Sequence, residues 1–180
     1  MAKRPMTPAQ AIRMRRTDLV ISRGYWGLLG KTLMLAAVLA VLLTQVFVVT
    51  QVSGNGMFPA VKDGDLVVGY RLQGSYAKND VVVYTQEGAR QVGRVIGREG
   101  DVIVITESGE LLVNGTTQSG EILYPTYARE GSEYPYVVPE GSYFLLGDYR
   151  TTAKDSRDFG SIPRSALEGK VITILRRRGI

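Results

Sequence analysis

A chain of 180 residues with a formal net charge of +5 has room for one ordinary domain and an anchor, and it holds neither histidine nor cysteine. Those absences exclude a Ser-His-Asp triad, a Cys-His pair, a disulfide framework and a histidine-based zinc site within the chain. The positive charge is local. Residues 1–31 carry seven Lys/Arg against Asp18, which leaves 15 basic and 16 acidic groups in residues 32–180, so a nucleic-acid partner is not expected.

The first segment, residues 1–28, is polar and basic. Thr7 to Asp18 has helical character and several arginines, which suits either a helix on a membrane surface or a disordered tail. No charge occurs from Thr32 to Val61. About 20 apolar residues cross a ~30 Å hydrocarbon layer, and Leu29 to Val49 fits that length. We therefore expect a transmembrane helix over 29–51, with Lys31 snorkelling and Tyr25-Trp26 at the interface. The basic flank places the N-terminus in the cytoplasm and residues 52–180 outside the cell membrane, as a single-pass protein. A cleaved signal peptide fits less well, because the apolar core comes late and Val49-Thr50-Gln51 is a poor small-x-small site. A buried core helix is the other alternative.

The anchor ends in Ser53-Gly54-Asn55-Gly56-Met57-Phe58-Pro59-Ala60. Two glycines, an asparagine and a proline in eight residues make a tight turn, and its tip carries no obvious nucleophile. Beyond it the composition shifts to short β-branched runs between Gly/Asp/Asn turns: Leu66 to Tyr70, Val81 to Thr85, Gln91 to Gly97, Val102 to Ile105, Leu111 to Val113, Tyr143 to Leu146 and Lys170 to Leu175. Thr106 to Glu110 reads as a hairpin loop. Such a pattern predicts a mostly β domain, an antiparallel sheet or a barrel-like fold, over residues 52–180. Gly115 to Pro139, with four tyrosines, is a long connection whose tyrosines either pack onto the sheet or serve recognition.

The densest polar segment runs from Gly147 to Gly160. It is either a solvated loop of exposed ion pairs, each worth little, or a partly buried network of Asp148, Asp155 and Arg157 that shapes a site. With histidine absent, a hydrolase would need a Ser-Lys dyad, and its lysine must be desolvated on a buried strand to act as a base. Lys62, Lys78, Lys154 and Lys170 all sit beside turns, acids or glycine, and none lies inside an apolar run.

Three stretches in order behind the anchor resemble the type I signal peptidases, in the single-anchor form of Gram-positive bacteria. The family's turn reads Gly-x-Ser-Met-x-Pro with serine as nucleophile; here it reads Gly54-Asn55-Gly56-Met57-Phe58-Pro59. The family's lysine strand, Lys-Arg-Val-Ile-Gly, appears as Gly93-Arg94-Val95-Ile96-Gly97. The third signature, Gly-Asp-Asn-Arg-x-x-Ser-x-Asp-Ser-Arg-x-x-Gly, appears as Gly147-Asp148-Tyr149-Arg150 through Asp155-Ser156-Arg157 to Gly160, with Tyr149 in place of its asparagine and Ala153 in place of its first serine. The resemblance implies a signal-peptidase fold whose catalytic positions are degenerate at Gly56, Gly93 and Ala153. It also implies that Ser53, Gly54, Met57, Pro59, Arg94, Asp148, Arg150, Asp155, Ser156 and Arg157 are retained positions of the family site. The family binds the residues before a cleavage site as an extended strand against sheet edges, which needs neither serine nor lysine.

The function so implied is that of a membrane-anchored protein without peptidase activity, needing no cofactor and no metal, that holds an extended peptide or secreted protein. Members that look like this occur in Gram-positive pilus gene clusters, so pilin subunits and a sortase are the implied partners and assembly the implied role. One alternative is an active type I signal peptidase with a mutated or displaced nucleophile. For Ser53 to serve, it would have to turn into the same pocket without a lysine partner. The other is a β-rich anchored module with structural duties.

Overall fold

The structure, a computed structural model, describes residues 8–118 and 123–176, with side chains from residue 24 onward. It divides into two units, residues 1–44 and 45–180. In the first, the helix α1 (Pro8–Val46) contains one apolar span of membrane length, Gly24–Val46. The helical character expected from Thr7 to Asp18 is present from Pro8 onward; residues 1–7 of the basic segment lie outside the described residues.

The helix gives way to strand earlier than the sequence suggests. Phe47–Gln51 forms β1, not the last turn of the anchor. The residues there are β-branched (Val48, Val49, Thr50) and favour a pleated, half-buried surface. Val48 is 1% exposed, and its side chain lies against Gly69, where a Cβ would fall 2.8 Å from Val48 Cγ1. Helix ends leave carbonyls without intrahelical donors. Arg71 supplies two donors at the junction, its backbone N–H to Val46 O (2.8 Å) and its Nε to Phe47 O (3.3 Å).

In chain order the remaining elements are β2 (Leu66–Tyr70), β3 (Val81–Gln86), β4 (Ala89–Arg98), β5 (Val102–Ile105), β6 (Leu111–Val113), β7 (Thr116–Thr117), β8 (Tyr136–Val137), β9 (Ser142–Leu146), the single-turn helix α2 (Ser156–Phe159), β10 (Ile162–Pro163), a 3-10 turn at Arg164–Ala166, and β11 (Leu167–Leu175). They form a seven-stranded sheet, ordered β1-β2-β11-β3-β4-β9-β10, and a four-stranded sheet, ordered β7-β6-β5-β8. Every pairing is antiparallel among the described residues. The expected mostly β, antiparallel architecture is therefore present, but the barrel-like form is not. The large sheet stays open between β1 and β10. Pro163 in β10 has no N–H to offer another strand, which blunts that edge.

β3 lies inside the sheet and is buried on both faces, so Val81-Val82-Val83-Tyr84 reads as a continuous apolar run. Val82 and Tyr84 join Tyr76, Leu145 and Ile162 in one core cluster. Val81 instead packs against Val52, Met57 and Val61 from the turn after β1. Each fully buried Val, Leu or Met contributes roughly 1.5–3 kcal/mol. Met57 (2% exposed) and Val61 (0%) thus pin the turn to the sheet by its apolar residues and leave its polar tip free.

Candidate functional site

The turn's backbone is set locally. Gly54 has φ +85°, a left-handed conformation that glycine adopts without penalty, and its N–H donates to Asp63 Oδ1 at 2.7 Å. Gly56 O accepts from Tyr149 N (3.0 Å), which joins the turn to the loop carrying the third signature. Gly147 sits where the two segments meet. A Cβ there would overlap Ala153 Cβ and Gly56 O, so the contact requires glycine.

These segments and the start of β4 enclose a cleft of about 420 Å³, lined by residues 50–57, by Tyr84 and Ala89–Val92, and by Gly147 and Thr152–Asp155. β4 pairs with β3 from Ala89 to Arg94 but with β9 only from Arg94 onward. The edge of Ala89–Gly93 away from β3 therefore carries unpaired backbone groups at the cleft, and such an edge can accept an added strand.

The structure brings Gly56 and Ala153 together. A Cβ on Gly56 would meet Ala153 Cβ at 3.7 Å, an ordinary contact. Gly93 is different: a Cβ there would fall 3.1 Å from Tyr84 Cε1 and 3.5 Å from Leu145 Cβ, so any side chain requires the tyrosine ring to shift. Tyr84 is 2% exposed, its hydroxyl donates to Gln91 Oε1 (3.1 Å), and burial, assisted by the nearby Asp155 charge, raises its pKa far above the usual tyrosine range. It stays neutral and is no base. Phe58, Tyr124 and Tyr149 do not line the cleft; Phe58 and Tyr124 pack on Tyr149, with ring centroids 6.0 Å and 4.6 Å away. Tyr84 was missed because its place beside Gly93 depends on the β3–β4 register, which local pattern does not encode.

Ser53 is exposed, as is Pro59, and among the described residues no lysine or carboxylate is hydrogen-bonded to Ser53 Oγ. Lys78, Lys154 and Lys170 each face a carboxylate, at 3.1 Å (Asp101), 3.7 Å (Glu87) and 2.7 Å (Asp80). Their side chains are 37%, 65% and 37% exposed, so none is a desolvated amine.

The 147–160 segment carries a buried network centred on Asp155 and Arg157, while Thr151, Thr152, Lys154 and Asp158 stay exposed. Asp155 caps α2, with Arg157 N donating to its Oδ1 and Asp158 completing a capping box. The Arg157 guanidinium binds both Asp155 oxygens at 2.9 Å, and Arg157 also donates to Arg150 O (2.6 Å) and Tyr127 O (3.1 Å). Both side chains are under 4% exposed. Asp155 Oδ2 accepts from Gly147 N (3.1 Å), and Ser156 Oγ accepts from Leu145 N (2.9 Å), so the pair also fixes the loop to β9. Arg94 forms a second, separate pair with Asp148, Nε to Oδ1 at 2.7 Å. Arg150 is 2% exposed and has no carboxylate partner among the described residues; burial lowers its pKa to about 10, with Thr126 and Gln118 accepting from it. Among the described residues no cluster of acids, His or Cys could hold a metal.

The geometry makes a first prediction. G56S should fold with a melting temperature close to that of the natural chain, since its Cβ meets nothing closer than 3.7 Å. G93K should lose on the order of 1–3 kcal/mol by overpacking against Tyr84. Thermal melts of the two variants check the asymmetry.

Residues 26–175 match the family model described as signal peptidase, peptidase S26. The signal peptidase IB of Staphylococcus aureus is 33% identical over 147 residues, 69% of this chain and 76% of that protein. The signal peptidase I of Bacillus licheniformis is 30% identical over 154 residues, 77% of this chain and 82% of that one. A crystal structure of a signal peptidase I from Enterococcus faecalis aligns with a TM-score of 0.46 at 27% identity, over 55% of this chain and 97% of that chain.

Proposed function

Because this chain belongs to the peptidase S26 family of signal peptidases and carries a single membrane-length helix, we propose that it is a tethered, non-catalytic member that holds an extended segment of a secreted protein. Its N-terminus is cytoplasmic and its β-rich domain extracellular, following the basic flank of the anchor. The observation that supports this reading is the combination of an open cleft and an unpaired β4 edge with glycines at 56 and 93. Backbone pairing to a strand edge gives affinity without a nucleophile or base. Chemistry is another matter. Gly56 offers no oxygen to attack a carbonyl, Gly93 no amine to take its proton, and the Ala153 methyl no hydroxyl to orient one.

The specific role we assign, by resemblance to dyad-less members of pilus gene clusters, is assembly factor for sortase-dependent pilin polymerisation. Pilin subunits are then the bound partner. Deleting the gene should abolish the pilus polymer ladder, and restoring the natural chain should rescue it; an unchanged ladder removes the assembly role.

The similarity to signal peptidases of Staphylococcus aureus and Bacillus licheniformis favours an active signal peptidase as second reading. Incubating the detergent-solubilised full chain with a fluorogenic signal-peptide substrate separates the two. We expect no turnover above a mock preparation. Cleavage that co-purifies with the chain through successive columns would establish the enzyme instead.

A further inference from the structure

The walls of the cleft are charged in one sense. Its ionisable lining is Arg90, Lys154, Asp155 and the neutral Tyr84, and Asp155 is wholly engaged by Arg157. Lys154 is 65% exposed and only loosely opposite Glu87, itself 70% exposed, at 3.7 Å. Arg90 is held differently. Its Nε donates to Glu168 Oε1 at 2.9 Å, while the same carboxylate accepts from Thr85 Oγ1 (2.6 Å) and Arg71 (3.0 Å). Glu168 is shared by two arginines, so the trio keeps a net positive charge. Burial would raise the Glu168 carboxyl, but the Arg90 and Thr85 hydrogen bonds and the two arginine charges hold it below the ordinary range.

The Nε bond orients the Arg90 guanidinium without using its outer edge. Among the described residues both terminal nitrogens of Arg90 are without partners, and the side chain is 45% exposed at the cleft. Arg94 and Arg157, by contrast, spend terminal nitrogens on Asp148 and on Asp155 with backbone carbonyls. A fixed, half-solvated guanidinium with its fork open is built to take a carboxylate, and part of the ordering cost is met before the ligand arrives.

We propose that the groove selects extended peptides bearing an aspartate or glutamate side chain, with Arg90 reading the carboxylate and Lys154 adding to the field. This rests on the groove-binding reading above and names the class of segment it takes.

The test uses the full chain in nanodiscs and fluorescently labelled peptides, identical except that paired positions are Asp, Asn or Lys, each with an amidated C-terminus. Anisotropy should show the Asp peptide binding about tenfold tighter than the Asn peptide at low salt, a gain that shrinks as salt is raised. In R90Q the Asp-over-Asn ratio should fall toward one; R90K should keep a part of it, and K154Q should reduce it about twofold. Equal binding of Asp and Asn peptides to the natural chain overturns the inference and leaves the groove reading standing. Binding of none of the peptides overturns both. An Asn peptide with a free C-terminus that gains where the amidated Asp peptide does not would make the recognised carboxylate a chain terminus and overturn the side-chain assignment.

Discussion

Replacing Arg157 by alanine should cost the β-rich domain about 3–5 kcal/mol, the range for breaking one side of a buried ion pair. The arginine is 3% exposed and its guanidinium makes four bonds, two to Asp155 and two to the carbonyls of Arg150 and Tyr127. Its removal strands the Asp155 charge in a site with two backbone N–H donors, from Gly147 and Arg157, and frees the loop those carbonyls belong to. Arg157→Lys should recover only a fraction, because an ammonium cannot match both carboxylate oxygens and two carbonyls in one plane. Near-UV circular dichroism of the full chain during urea unfolding reads the loss. If R157A unfolds at the same urea concentration as the natural chain, the pair does not hold this fold. A double replacement of Asp155 and Arg157 by apolar residues should cost less than the two single changes together, since neither charge is then left alone.

Gly147→Ala should be nearly as damaging, for a steric reason. The added methyl meets Ala153 Cβ and Gly56 O, so the turn and the loop must separate. The Tyr149 N–H bond to Gly56 O at 3.0 Å is the first to be lost. Overpacking of this kind costs on the order of 1–3 kcal/mol and occasionally more, and here it deforms the walls of the cleft directly. We expect a lowered melting temperature together with loss of peptide binding. Adding Ala153→Gly should return part of the stability, because one of the two obstructing groups is then gone. A G147A variant that melts and binds like the natural chain would mean that turn and loop are not packed as described.

Much of this was legible in the chain itself. The seven runs read as strands are strands, because each joins a β-branched, aromatic or leucine-rich apolar run to turn residues nearby. β7, β8 and β10 escaped notice, being two residues long and defined by their partners more than by their own side chains. The end of the anchor was misplaced for a related reason. Phe47 to Gln51 is as apolar as the helix before it, and only pairing with β2 and donation by Arg71 make it a strand. Strand number and spacing left an open antiparallel sheet and a barrel-like form equally possible, and the edges at β1 and β10 are set by where strands run out of partners. At the site, the acids and bases of 147–160 were visible as a charged segment. Composition favoured leaving them in water, and the burial of Asp155 and Arg157 follows from the capping of α2 by Asp155 and its proximity to β9. Tyr84 and Arg90 come from strands distant in sequence from that segment, and no local pattern marks them as neighbours of the cleft.

On the proposed reading, the contrast between Gly56 and Gly93 bears on descent. Two of the four glycine codons become serine codons by one nucleotide change, and the space at position 56 would receive the serine unaltered. A lysine at 93 asks for at least two nucleotide changes and for a neighbouring tyrosine to yield. A lineage that once relinquished both would find one door ajar and the other shut, so hydrolysis does not return through the serine alone.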